Sequence, residues 1–220
     1  MSTLGAVTIG QSPRTDIIPE LRTVLGPEVE IVEAGALDGL GPDEIRALAP
    51  ARDDTVLVTR LRDGSGVRVA HRHVVPRLVR KVEALARQVD AVLLLCTGSF
   101  EPFRTSRPIL YPERLLFGLA RAVAADGHLG VITPDEGQVE EQRSRWGGVA
   151  RRVTIRAASP YADSARLPAL ARELAVAGAD LIVLDSLGYS LAMKQTVRQA
   201  AGRPVLLPRT VLARAAAELL

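Results

Sequence analysis

The feature that most constrains this chain is a recurring pattern. Short, unbroken runs of Val, Ile, Leu and Ala alternate with longer stretches whose apolar residues recur at helical spacing. The runs fall at Ala6–Ile9, Glu30–Glu33, Thr55–Thr59, Ala91–Leu95, Gly130–Thr133, Val153–Arg156, Leu181–Leu184 and Val205–Leu207. Most lack the two-residue alternation of a half-exposed strand, so they suit strands covered on both faces, as in a parallel sheet between helices. Helical patterns are read at Thr15–Leu25, Asp43–Leu48, His73–Gln88, Pro112–Ala125, Ser164–Ala177, Leu191–Ala201 and Thr210–Leu220. Asp126–Gly127, Gly178 and Gly202 stand where three of them should stop, and Asp16 stands where it can serve a helix start. The turn-like segment Asp63–Gly66 predicts that Val67–Ala70 adds an antiparallel strand. The class is α/β, with parallel sheets.

Part of the pattern occurs twice. Asp90-Ala-Val-Leu-Leu-Leu-Cys96-Thr-Gly98 resembles Asp180-Leu-Ile-Val-Leu-Asp-Ser186-Leu-Gly188, with a constant offset of 90 at the acid, at the Cys/Ser position and at the glycine. Val7–Gly10 and Gly130–Pro134 form a weaker second pair. The repetition predicts two similar α/β lobes, with Cys96 and Ser186 at matching strand ends. The carboxyl ends of strands are where ligands sit in open α/β sheets, so a cleft between the lobes is expected to receive both.

Composition removes several functions. Aromatic residues are 3% of the chain, too few for a stack of base-binding platforms. The single cysteine, Cys96, leaves no internal disulfide and no multi-thiolate metal cluster. Of 28 basic residues two are lysine, leaving 26 arginines, but these are scattered and the net charge is only +3. A nucleic-acid surface would cluster them. No leader pattern or membrane-length apolar run is seen, and a lone thiol fits a reducing compartment. A soluble cytoplasmic protein is expected, without nucleic-acid or membrane partners. His71 and His73 have no carboxylate cluster beside them, and no metal site is expected.

The residues able to carry chemistry lie at the strand ends. Cys96 runs into Thr97-Gly98-Ser99, where small hydroxylic residues and backbone N–H groups can hold a carboxylate or enolate oxygen, and a thiol there can serve as base or nucleophile. Ser186, flanked by Asp185, Leu187, Gly188 and Tyr189, is its counterpart. Serine needs a neighbouring base, and Asp185 is the nearest carboxylate, although successive strand residues point to opposite faces. Gly10-Gln11-Ser12-Pro13-Arg14 links the first strand to a helix. It is no nucleotide-binding motif, but Arg14 is suited to clamping a carboxylate bidentately. In the second half Thr133 occupies the corresponding loop, Asp135 and Glu136 are expected to open the next helix, and Tyr189 either covers the cleft or packs.

The loops TIGQSPR (Thr8–Arg14), ITPDEGQ (Ile132–Gln138) and LDSLGYS (Leu184–Ser190), with the C-terminal stretch PVLLPRTVLARAAAELL (Pro204–Leu220), resemble the AroM family over essentially the whole chain. The layout is similar to that of the wider aspartate/glutamate racemase superfamily. This resemblance implies two pseudo-symmetric Rossmann-like lobes, residues 1–104 with 206–220 and residues 105–205, the C-terminal segment returning to the first. It implies cofactor-independent chemistry on a small carboxylate, as in racemases, maleate isomerases and arylmalonate decarboxylases. Such enzymes commonly use one cysteine per lobe, on opposite faces of a carbon next to a carboxylate. Cys96 matches the first and Ser186 stands in place of the second.

Two functions follow as expectations. The first is an isomerase, racemase or lyase. In it Cys96 is base or nucleophile, Ser186 faces the other side of the substrate and Asp185 is a proton source. Gly10, Gln11, Arg14, Thr97, Gly98, Ser99, Thr133, Leu187, Gly188 and Tyr189 line the site. The second is a carboxylate-binding or regulatory protein that keeps the cleft without turnover. A homo-oligomeric state is compatible with either.

Overall fold

The structure, a computed structural model, describes residues 2–220. The chain divides into two compact units, Met1–Pro112 with Leu212–Leu220, and Glu113–Val211.

In the first unit the elements run β1 (Thr3–Thr8), α1 (Ile18–Leu25), β2 (Glu30–Gly35), α2 (Pro42–Arg46), β3 (Val56–Arg60), β4 (Gly66–Ala70), α3 (His71–Leu85), β5 (Ala91–Leu95) and β6 (Ile109–Leu110). Four of the strands form a sheet in the order β2-β1-β5-β6, parallel throughout. All five residues of β5 are buried, as its unbroken apolar run requires. Val7, Ile9, Val92, Leu94 and Cys96 pack with Val74, Leu78, Val82 and Leu85 of α3 into one core. β3 and β4 pair antiparallel as the hairpin expected around Asp63–Gly66. β6 pairs with β5 and so keeps the chain in the first unit as far as Pro112.

The second unit contains α4 (Pro112–Ala124), β7 (His128–Thr133), a single 3-10 turn at Glu136–Gln138, α5 (Val139–Trp146), β8 (Arg152–Ala157), α6 (Leu167–Val176), β9 (Leu181–Leu184), α7 (Leu191–Ala201), β10 (Val205–Leu206) and the start of α8 (Pro208–Ala217). Its sheet, read from the β8 edge, is β8-β7-β9-β10, again all parallel. Strand for strand, this is the order of the first sheet. Two cores flank it. Trp146, Leu129, Val131, Leu181 and Val183 lie on one side with α4 and α5. Ile132, Ile182, Leu184 and Tyr189 lie on the other with α6 and α7.

The repeated sequence is a repeated hydrogen-bond unit. Asp90 accepts from the N–H of Thr3 through Oδ2 (2.9 Å) and donates its own N–H to the Thr3 carbonyl (2.8 Å). Asp180 makes the same two bonds with His128, both at 2.8 Å. Each acid locks the register of its strand against the first strand of its own sheet. Gly178 and Gly202 have positive φ (92° and 61°), the conformation a glycine adopts at a helix end. Asp135 accepts from the N–H of Gly137 and so caps the turn leading into α5. Asp16 does not cap α1. It is taken up by Arg14, and α1 begins at Ile18. Among the described residues no helix is long and apolar enough to cross a membrane, and no group of three or more His, Cys, Asp or Glu could hold a metal ion.

Candidate active site

Two strand ends meet in the first unit, because β1 and β5 are neighbours with Thr8 opposite Leu95. The loop after β1 is held from several sides. The Asp38 carboxylate accepts from the N–H of Ser12 (2.8 Å), the hydroxyl of Ser12 (2.6 Å) and the N–H of Gly35 (2.7 Å). The β3–β4 hairpin grips the same loop: Arg62 donates its N–H to Gln11 Oε1 (2.9 Å) and its guanidinium to the Ser12 carbonyl (2.9 and 2.6 Å). Gly10 is required where the hairpin presses closest, since a Cβ there would lie 2.4 Å from Thr59 Oγ1 and 2.5 Å from the Arg60 carbonyl. Arg14 is 3% exposed. Its Nε and Nη2 bind both oxygens of Asp16 at 2.8 Å, its Nη1 donates to Thr8 Oγ1 at 3.0 Å, and its N–H donates to Glu33. The arginine therefore clamps a carboxylate of its own chain.

Cys96 follows the last residue of β5 and is buried beside Leu57 and Phe100. The N–H of Gly98 donates to its Sγ at 3.3 Å. Thr97 is buried and Ser99 is exposed. The Ser99 carbonyl lies 3.1 Å from His71 Nε2, and the His71 ring stacks on Phe100 with centroids 5.4 Å apart. The segment after the thiol is thus fixed by a backbone–sulfur hydrogen bond and an imidazole–carbonyl contact.

In the second unit β7 and β9 are neighbours, and the N–H of Asp185 donates to the Ile132 carbonyl (2.8 Å). The N–H of Gly188 donates to Ser186 Oγ at 3.1 Å, the bond that Gly98 makes to Cys96. The turn is braced further. Arg209, 2% exposed, donates from Nε to the Leu187 carbonyl (2.7 Å) and from Nη2 to the Gly188 carbonyl (3.1 Å). A Cβ on Gly188 would meet Pro160 Cγ and Tyr161 Oη, each at 2.7 Å.

The neighbours of Ser186 point elsewhere. Asp185 Oδ2 accepts from the indole N–H of Trp146 at 2.9 Å, with both residues buried. Burial lowers the pKa of the nearby Arg145, but the charges of Asp185 and Glu113 outweigh it and raise this arginine above its ordinary value. Tyr189 is fully buried and donates its hydroxyl to the Ala158 carbonyl at 2.6 Å. Burial first, and then the negative charge of Asp185, push its phenol well above the ordinary tyrosine range. Thr133 Oγ1 donates to Gln138 Oε1 at 3.0 Å.

The structure thus brings Gly10, Gln11 and Arg14 to the strand end beside the one that carries Cys96, Thr97, Gly98 and Ser99. It brings Thr133 to the strand end beside that of Asp185, Ser186, Leu187, Gly188 and Tyr189. It spends the side chains of Arg14, Asp185 and Tyr189 on internal partners. Sequence reasoning overlooked Asp38, Arg62, Trp146 and Arg209. The first two lie 26 and 50 residues from the Ser12 they hold, and no spacing pattern joins them. Arg209, just inside a Pro-initiated helix, had only its place in the C-terminal stretch to mark it.

No curated protein matches the sequence. Among solved structures, an unliganded arylmalonate decarboxylase is similar with a TM-score of 0.64 at 16% identity, over 100% of this chain and 93% of that one. The allantoin racemase of Pseudomonas fluorescens is similar with a TM-score of 0.63 at 18% identity, over 98% and 89%. The maleate cis-trans isomerase of Nocardia farcinica gives 0.63 at 15%, over 100% and 92%. These likenesses show a shared fold, the two-lobed α/β architecture of the aspartate/glutamate racemases. The AroM family model, described as AroM protein, matches residues 4–220, and the chain belongs to the AroM family.

Proposed function

We propose that this protein is a cofactor-independent isomerase, racemase or lyase acting at the carbon next to the carboxylate of a small acid, with Cys96 as base or nucleophile. One observation carries the reading: the same turn closes both matching strand ends, the N–H of residue i+2 donating to Sγ of Cys96 and to Oγ of Ser186. A backbone N–H aimed at sulfur favours the thiolate, the form that abstracts protons and adds to carbon. The fold likeness to enzymes named for decarboxylation, racemisation and cis-trans isomerisation supports the same class.

The Cys96 strand end is proposed to work without a second proton-transfer group. Proton removal on one face and delivery on the other need two groups with accessible proton-transfer values. Ser186 is not such a group without a base, and the Asp185 carboxylate is tied to Trp146. The reaction is therefore one-sided. Thr97, Gly98 and Ser99 are proposed to hold the substrate oxygen next to the thiol. Arg14 would act by positioning the loop, since Asp16 occupies its fork.

The test is proton exchange in deuterated water, followed by NMR across a panel of small mono- and dicarboxylates that raise the thermal midpoint. Exchange or decarboxylation should appear with one enantiomer or one face only. It should vanish in Cys96→Ala and weaken in Ser186→Ala. Equal exchange from both enantiomers would overturn the one-sided mechanism. Binding without exchange, together with an alkylation profile of Cys96 at the ordinary thiol value of ~8.5, would establish the second reading, a carboxylate-binding protein. The presence of serine at the second-lobe position favours that reading.

A further inference from the structure

Two consecutive peptide groups follow Ser186, and their four polar atoms are divided between two residues. The N–H of Gly188 goes to Ser186 Oγ (3.1 Å) and the N–H of Tyr189 to the Ser186 carbonyl (3.3 Å). The carbonyls of the same two peptides, Leu187 and Gly188, both go to the Arg209 guanidinium (2.7 and 3.1 Å). In a planar trans peptide the C=O and N–H point in opposite directions. Holding the oxygens on Arg209 therefore aims the hydrogens at Ser186. A cation on a carbonyl also polarises the peptide, and hydrogen bonds in series strengthen one another in a low-dielectric interior. Arg209 is 2% exposed, so water screens little of its charge.

We infer that Arg209 is a positioning residue that acts through the Leu187–Gly188 peptide to bias the Ser186 strand end toward negative charge, making it an anchor for an anionic oxygen of the ligand, carboxylate or enolate, rather than a proton-transfer station. This rests on the reading of the strand ends as ligand-binding, and it assigns them unequal parts. The Cys96 end performs the chemistry and the Ser186 end holds charge. The carboxylate nearest in sequence, Asp185, opposes this bias, but its oxygen is held by the Trp146 indole. Tyr189, on the other side of the turn, is neutral and bonded to Ala158.

A thiol placed at position 186 measures the bias directly. In a Cys96→Ala, Ser186→Cys protein the only thiol is at the anchor, and its ionisation is read from thiolate ultraviolet absorbance against pH, with the Cys96→Ala protein as blank. The expected midpoint lies below the free value of ~8.5. Adding Arg209→Gln should raise it by about one unit or more, a tenfold loss of thiolate at a fixed pH below both midpoints. Adding Arg209→Lys, which keeps the charge, should leave it between the two. A midpoint at or above the free value with Arg209 present overturns the inference, as does equal titration with Arg, Lys and Gln at position 209. If Arg209→Gln does not fold, the parent and the lysine variant decide, through the position of the parent midpoint and the order of the two. The assay needs neither substrate nor Cys96. Failure of exchange in the Cys96 experiment, with a depressed thiol here, would overturn the catalytic reading and keep the anion anchor; the reverse pattern would do the opposite.

Discussion

Replacing Trp146 by Phe removes one specific bond from the second unit. The indole N–H is fully buried and lies 2.9 Å from a carboxylate oxygen of Asp185 that is itself 2% exposed. A hydrogen bond to a charged group is worth ~1.5–3 kcal/mol, and leaving a buried acceptor unsatisfied costs in the same range. The smaller ring also leaves a partial void against Phe117, whose centroid is 4.3 Å away, adding about 1 kcal/mol for lost contact and residual cavity. Arg145, held above its ordinary value in part by Asp185, still offsets some of the orphaned charge. The expected loss is therefore about 2–4 kcal/mol. It is measured by urea unfolding followed by far-ultraviolet circular dichroism, and it falls on the transition of the second unit. The cycle with Asp185→Asn isolates the bond, because an unpaired amide oxygen is less costly to bury than an unpaired carboxylate. The substitution at Trp146 should cost at least about 1 kcal/mol less in the asparagine background. Equal cost in both backgrounds, or a loss under about 0.5 kcal/mol, would refute the view that this bond sequesters Asp185 from Ser186.

Three further outcomes follow from the same geometry. Gly188→Ala should destabilise more than Gly98→Ala, as read from thermal midpoints. The new Cβ would press on Pro160 and Tyr161 ring-system atoms at 2.7 Å in the first case, but on movable side-chain atoms at 3.0–3.3 Å in the second. Asp38→Ala should cost about 2–3 kcal/mol and speed amide exchange at Ser12 and Gly35, which lose their acceptor; unchanged exchange there would contradict the loop architecture. Tyr189→Phe should lower stability at neutral pH by about 1 kcal/mol through loss of the Ala158 bond. It should also remove a pH dependence: the unfolded phenol ionises near pH ~10 while the folded one stays protonated, so native stability declines as pH climbs above ~10 and the variant lacks that decline. Parallel pH curves for the two proteins would show that this phenol does not carry the effect.

The elements that were legible from the residues share one property: their signal is local. β5 and β9 are apolar runs buried on both faces, and their bounds are those of the runs. α7 ends at Ala201 before a left-handed Gly202. The 90-residue repeat was visible because the acid, the strand and the glycine each serve a bond that the fold makes twice. β6 was not visible. Two residues carry no periodicity, and they are a strand only because β5 offers them a free edge.

The sequence by itself determined the α/β class, the duplication, the family, and the placement of a thiol and a hydroxyl at equivalent strand ends. Each of these depends on residue type at fixed spacing along one segment. Only the tertiary structure decided what the charged side chains do. Arg14 has the chemistry of a ligand clamp, yet Asp16, two residues away, fills its fork. Asp185 has the chemistry of a proton source, yet the pleat turns it to an indole 39 residues away. Arg209 carries no motif, yet it holds both carbonyls behind Ser186 from 21 and 22 residues away. A long polar side chain has many partners within reach in the unfolded chain. Which one it keeps is settled by burial, because a buried charge must be matched by whatever group the packed core brings beside it.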